Sequence, residues 1–236
     1  MELTKRQQLI LEKLIEQYVK TAEPVASAAL AKEYDFGVKP AMIRREMEKL
    51  EKLGFLSQPF VSSGRMPTDK AYRFFVNKIL ERGMPQSKKT EKIADTLEKE
   101  RNDFLKFTLE AVRFLAESSP SLALFSLPQE HILLKDGWED IIREPEFANR
   151  EFFGEFADFL ADFEKQARDM ISQDRLQIFI GNENPIAKAK NLTLISKTCS
   201  LPDGKKGILS LAGPKRMPYK ENLGLLNSLI NLMEKI

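Results

Sequence analysis

The chain has 236 residues, 42% of them apolar and 31% charged, with a formal net charge of +2. That length holds one large domain or two modest ones, and that composition can bury a core, which excludes a disordered chain. No apolar run reaches the roughly 18 residues that span a bilayer, the N-terminal MELTKRQQ lacks the apolar segment of a secretory signal, and a single cysteine, Cys199, excludes both an intramolecular disulfide and a multi-cysteine zinc site. The expectation is a soluble cytoplasmic protein with no membrane partner. Charge is not spread evenly. Residues 1–83 carry 15 Lys and Arg against 11 Asp and Glu, a balance of +4, while the remainder, 22 against 24, stands at −2. This leans towards nucleic-acid binding by the N-terminal part.

Thr4 and Gln7 have the spacing of a capping box. The helix that follows carries Leu11, Leu14, Ile15 and Tyr18 on one face and should stop near Thr21, because Pro24 disfavours helical geometry at Glu23. Ser27 is placed to cap a short second helix with Leu30, Ala31 and Tyr34 turned inward. Asp35-Phe36-Gly37-Val38 reads as a tight turn. A third helix runs from Lys39 to Gly54, with Pro40 in its first turn and Gly54 just past its end. Ile43, Met47 and Leu50 recur at i, i+4 and i+7 and face a core. At about 100° per residue Arg45 lies about 200° from Ile43, on the outer side with Ala41, Lys49 and Lys52. Two helices, a short turn and a third helix are the order of a helix-turn-helix module.

After Gly54, Phe55–Gln58 and Phe60-Val61 read as short extended pieces around Pro59. Ser62-Ser63-Gly64-Arg65 reads as a polar turn that carries a guanidinium at its tip or edge. Met66-Pro67 leads back to Thr68, a cap for a helix to about Leu80. A hairpin directly after the third helix is a wing, which in winged-helix modules touches phosphates or the minor groove. Residues 82–87, with Gly83 and Pro85, form a linker, and residues 88–118 read as one long amphipathic helix. Its Ile93, Leu97, Phe104, Phe107, Ala111 and Phe114 fall near an a/d seam that Glu100 breaks, which leaves open a dimer seam or packing on its own domain. Beyond it, 121–127 and 132–134 read as strands and Trp138–Arg143 as a helical turn. A helix runs from Glu151 to about Ser172, with Phe152, Phe156, Phe159, Leu160 and Phe163 inward. Strands follow at 176–180, 192–201 and 207–212, the last two joined by a Pro202-Asp203-Gly204 hairpin. A final helix from Tyr219 faces inward with Leu223, Leu226, Ile230 and Met233. The fold class is α+β, with domains at 1–82, 83–118 (linker and long helix) and 119–236.

The sequence supplies little for catalysis. His131 is the only histidine, so any Ser-His-Asp or Cys-His site must use it, and no nucleophile motif lies nearby. No metal-ligand cluster, GxGxxG or Walker A motif is present. Gly204-Lys205-Lys206-Gly207 joins two strands and opens no helix. No enzyme, cofactor or metal is expected. Lys and Arg on helices usually face water. Arg44 and Arg45, on a third helix followed at once by a hairpin with Arg65, favour DNA contact over solvation.

Several runs resemble the heat-inducible transcription repressor HrcA family: Thr4-Lys5-Arg6-Gln7, Glu23-Pro24-Val25-Ala26-Ser27, Ile43-Arg44-Arg45-Glu46-Met47, Leu53-Gly54-Phe55-Leu56, and above all Ser62-Ser63-Gly64-Arg65-Met66-Pro67-Thr68-Asp69-Lys70-Ala71-Tyr72-Arg73. The likeness is dense from Leu3 to about Leu80. It returns more thinly at Pro145–Ala148, Ile178–Pro185, Gly207–Leu209 and Gly213–Tyr219. The resemblance implies a winged-helix repressor of chaperone genes that binds an inverted repeat of double-stranded DNA as a homodimer. It also implies a GAF-like C-terminal domain, and a GroEL-type chaperonin that assists the repressor's active fold. On the positions that match, the expected DNA contacts are Lys39, Ala41, Met42, Arg44, Arg45 and Lys49 on the helix and Ser62, Ser63, Gly64 and Arg65 on the wing. Arg45 is the choice for base readout. The chain departs from the family's usual residues at Lys39-Pro40, Met42 and Arg45, at the opening of the recognition helix where base preference is set. It is also shorter, with the gap between Leu127 and Trp138, so the GAF-like domain is a reduced one. The alternative reading is a ligand-sensing winged-helix regulator whose GAF-like domain binds a small molecule.

Overall fold

The capping box at the start of the chain is formed: Gln7 N–H donates to Thr4 Oγ1 at 3.3 Å and Thr4 N–H to Gln7 Oε1 at 3.0 Å. These bonds open α1 (Lys5–Thr21) in the computed structural model, which describes residues 3–171, 175–186 and 188–236. The chain divides into two compact units, Met1–Glu81 and Arg82–Ile236.

In the first unit α1 ends at Ala22, which sits in the left-handed region at φ 56°. α2 (Ser27–Glu33) follows, and here the structure corrects an expectation. Ser27 is the first helical residue and Ala26 the cap, so no side chain satisfies the helix start. Asp35 Oδ1 accepts Gly37 N–H at 2.8 Å, and Gly37 turns the chain at φ 64°. α3 (Pro40–Lys52) comes next, with Lys39 at its cap position and Gly54 at φ 77° beyond its end. Ile43, Met47 and Leu50 are fully buried, together with Ile10, Leu11, Leu14, Ile15 and Leu30. Burying each such side chain is worth about 1.5–3 kcal/mol, so this stripe fixes the helix orientation. β1 (Leu56–Ser57) pairs antiparallel with β2 (Met66–Pro67), in the register Leu56↔Pro67 and Ser57↔Met66. α4 (Asp69–Glu81) then closes the core with Tyr72 and Val76. Ala71 N–H donates to Thr68 Oγ1 at its start.

The second unit departs from the sequence reading at once. The stretch 88–118 is not one helix. A 3-10 turn at Lys88–Lys92 leads into α5 (Ala94–Glu100), the chain breaks at Arg101-Asn102-Asp103, and α6 (Phe104–Ser118) restarts with Asp103 Oδ1 accepting Lys106 N–H at 3.1 Å. Ile93, Leu97, Phe107 and Ala111 are buried within this unit, while Phe104 and Phe114 of the same seam are half-buried. The sheet is antiparallel and five-stranded, in the order β4-β3-β7-β6-β5. Its strands are β3 (Leu122–Leu127), β4 (Ile132–Asp136), β5 (Gln177–Ile180), β6 (Leu192–Ser200) and β7 (Lys206–Pro214).

Between β4 and β5 lie α7 (Trp138–Ile141) and α8 (Arg150–Ile171); the expected end of the longer helix at Ser172 falls outside the described residues. α8 lays Phe152, Phe156, Phe159 and Phe163 against Leu122, Leu124, Leu194 and Ile208 on one face of the sheet. α6 and α9 (Tyr219–Met233) pack on its strands as well, with Leu223, Leu226 and Ile230 buried. Successive strand residues point to opposite faces. β3 and most of β7 are buried at every position, which is why they read as continuous apolar runs rather than alternating ones.

Candidate nucleic-acid interface

The face of α3 opposite its buried stripe carries Ala41, Met42, Arg44, Arg45 and Lys49, all exposed. Their electrostatic states differ. Arg44 Nε lies 3.3 Å from Glu48 Oε1. Lys49 Nζ donates to Glu46 Oε1 at 2.8 Å. Arg45 and the cap residue Lys39 have no side-chain partner among the described residues. Their charges are therefore available to an incoming anion without first breaking an ion pair.

Glu46 shows how the face is braced. It is almost fully buried on the inner edge of α3, where Gln7 Nε2 donates to its second oxygen at 3.0 Å. The Lys49 hydrogen bond, opposed by burial and helped by Gln7, holds its carboxyl below the usual glutamate range. The α1 capping residue is thus also the clamp on the recognition helix. Glu46 was not singled out from sequence, where one acid among many on a charged helix carries no signal.

The wing differs from its expected form in two ways. Phe60-Val61 is not extended; only Leu56–Ser57 and Met66–Pro67 pair. Phe60 and Val61 instead form the tip, with Phe60 75% exposed and Val61 fully so. Arg65, expected at the tip or edge, is 9% exposed and lies at the base. Its Nε donates to Glu51 Oε2 at 2.9 Å, and its backbone exchanges two 2.9 Å hydrogen bonds with Val25. Arg65 therefore ties the wing to α3 and to the segment between α1 and α2. Gly64 is required by close approach: a Cβ there would meet the Pro24 carbonyl oxygen at 2.4 Å and the Val25 carbonyl carbon at 2.5 Å. Ser63 is turned inward, its hydroxyl accepting Phe60 N–H at 3.1 Å, whereas Ser62 is exposed.

Cys199 is buried, and burial pushes its thiol up to about 12. His131 lies on the surface with Nδ1 3.1 Å from an Arg168 nitrogen and 3.6 Å from Glu164. Among the described residues no group of His, Cys, Asp or Glu is arranged to hold a metal ion, and no helix is long and apolar enough to cross a membrane.

A trihelical core, a recognition helix with an open cationic face and a hairpin clamped beside it define a winged helix-turn-helix DNA-binding protein. Residues 2–81 match the family described as "Winged helix-turn-helix transcription repressor, HrcA DNA-binding", and residues 68–222 match "HrcA protein C terminal domain". The chain belongs to the HrcA family of transcription repressors. The heat-inducible transcription repressor HrcA of Clostridium tetani is 26% identical over an alignment of 337 positions covering 100% of this chain and 96% of that one. That of Natranaerobius thermophilus is 42% identical over 132 residues, 55% of this chain and 38% of the relative. That of Alkaliphilus metalliredigens is 49% identical over 81 residues, 34% of this chain and 24% of the relative. A crystal structure described as a hypothetical protein has the same fold, with a TM-score of 0.81 at 17% identity, covering 99% of this chain and 98% of that one.

Proposed function

We propose that this chain is a heat-inducible, cytoplasmic repressor of chaperone genes that binds an inverted-repeat operator as a homodimer. The observation that carries the reading is the exposed face of α3, where Arg45 and Lys39 are free of intramolecular partners while the opposite face is locked into the core. The proposed contacts are Lys39, Ala41, Met42, Arg44, Arg45 and Lys49 on the helix and Ser62 on the wing. Ser63 and Gly64 shape the turn, and Arg65 acts by holding the wing. Arg45 reads a guanine, since a guanidinium pairs bidentately with O6 and N7.

A palindromic site demands a two-fold protein with recognition helices about 34 Å apart or a multiple of that. Most of the apolar seam of residues 93–111 is buried inside the second unit, and the proposed dimer interface lies on the exposed surfaces of that unit. Unit two is proposed as the reduced GAF-like domain and as the part that responds to a GroEL-type chaperonin. The deciding experiment is enrichment of genomic fragments on the purified protein. Recovery of an inverted repeat upstream of chaperone genes is the expected result. Recovery of unrelated promoters sinks the chaperone assignment, and preference for duplex RNA over DNA sinks the operator. A strictly monomeric mass with one half-site bound removes the dimer.

A further inference from the structure

The wing tip carries no ionisable residue from Gln58 to Gly64, and the one cation of the hairpin, Arg65, is withdrawn to Glu51. Several of the tip's polar groups bond within it, while Ser62 stays exposed. Ser63 N–H donates to the Phe60 carbonyl at 2.9 Å, and the Ser63 hydroxyl accepts Phe60 N–H. Gln58 Nε2 donates to the carbonyls of Val61 and Ser63 at 3.0 and 2.9 Å. The backbone on both sides of Phe60 is therefore fixed, and what it presents to solvent is a phenyl ring beside a fully exposed Val61.

A wing of this kind has no charge with which to hold a phosphate. It sits in the same compact unit as α3, clamped to it through Arg65 and Glu51, in the place where wings touch phosphates or the minor groove beside a seated recognition helix. Proteins that enter the minor groove use apolar side chains, phenylalanine among them, as wedges that part a base step and bend the duplex.

We propose that Phe60 is a minor-groove wedge: its ring enters beside the site read by α3 and unstacks one base step, with Val61 against the sugar wall. The proposal rests on the DNA-binding reading and assigns Phe60 an apolar role beside the polar contact of Ser62. Operator choice then includes a flexible pyrimidine–purine step at a position no side chain reads by hydrogen bonding.

The test uses the full chain and the duplex that the wild-type protein selects from a random-sequence pool, with 2-aminopurine placed in turn at each position flanking the α3 footprint. The wild type raises emission at one position in each half-site and bends the duplex in an end-labelled energy-transfer measurement. Phe60→Ala abolishes both and weakens binding about tenfold, within the range for loss of an aromatic stack on a base. Phe60→Leu, still an apolar wedge, keeps most of the bend and guards against a folding defect in the alanine variant. Guanine N7 protection in the major groove stays as in wild type. Flat emission from a bound duplex, or an alanine variant that bends and binds like wild type, overturns the wedge and leaves DNA binding intact. Loss of self-association by Phe60→Ala with unstacking unchanged assigns the ring to a second copy and also overturns it. Failure of the wild type to select any duplex overturns the DNA reading itself, and the wedge with it.

Discussion

Replacing Arg65 by alanine separates a strut from a phosphate contact. The Arg65 side chain is 11% exposed and that of Glu51 34%, with Nε to Oε2 at 2.9 Å. An exposed pair of this kind contributes about 0–1 kcal/mol, and truncating one partner of a fully buried pair costs about 3–5 kcal/mol. Glu51 is one-third solvated, so water recovers part of the loss, while the buried stem of Arg65 adds lost packing. The expected cost to the first unit is about 1–3 kcal/mol. For a unit of 81 residues that is a fall of about 4–24 °C in melting temperature, at roughly 4–8 °C per kcal/mol. Thermal unfolding by circular dichroism measures the first effect, and affinity titrated against salt measures the second. A lost phosphate contact lowers the slope of log K on log salt by about 0.9. The structure predicts no change in slope, with a uniform loss of affinity that tracks stability. A slope lowered by one contact at unchanged melting temperature would mean that Arg65 leaves Glu51 and faces phosphate in the complex, and the strut would be refuted.

Three further outcomes are expected. Arg45→Ala leaves the melting temperature unchanged, because the side chain has no partner to lose, and costs about 1–3 kcal/mol on the selected site but less on random DNA; equal losses on both would make it a phosphate contact only. Because the folded state depresses the Glu46 carboxyl, its stabilising contribution is complete above the ordinary glutamate pKa of about 4.3 and is lost as pH falls through the lower folded value. Glu46→Gln should flatten that acid limb in pH-dependent unfolding, and an unaltered limb would put the acid sensitivity elsewhere. Cys199, with its thiol pushed up to about 12, should resist alkylation at pH 8 in the native protein and react on unfolding; labelling at the rate of a free thiol would contradict its burial.

Local periodicity carried much of the first unit. The Ile43-Met47-Leu50 stripe, the Thr4–Gln7 box and the Gly37 and Gly54 turns are decided within one or two turns of chain, and each is where its residues indicate. What escaped depends on partners distant in sequence. Arg65 looks like any wing cation until the hairpin folds it back on Glu51 and Val25. Phe60-Val61 has strand propensity, but Ser63 and Gln58 draw it into a turn. The break at 101–103 has a local cause, Asn102-Asp103 before an apolar run, and the longer heptad-like pattern across 93–114 masks it. The strand order β4-β3-β7-β6-β5 is set by pairings across tens of residues, which no local pattern encodes.

The two faces of α3 also bear on how such a protein diverges. Stability resides in Ile43, Met47, Leu50 and the Gln7–Glu46 clamp, and none of these atoms lies on the outer face. Substitutions at 41, 42 and 45 alter only exposed side chains, so they are close to neutral for folding, within roughly ±0.5 kcal/mol for surface changes. With the proposed contacts at these positions, a lineage would change its base preference without losing the fold of the first unit.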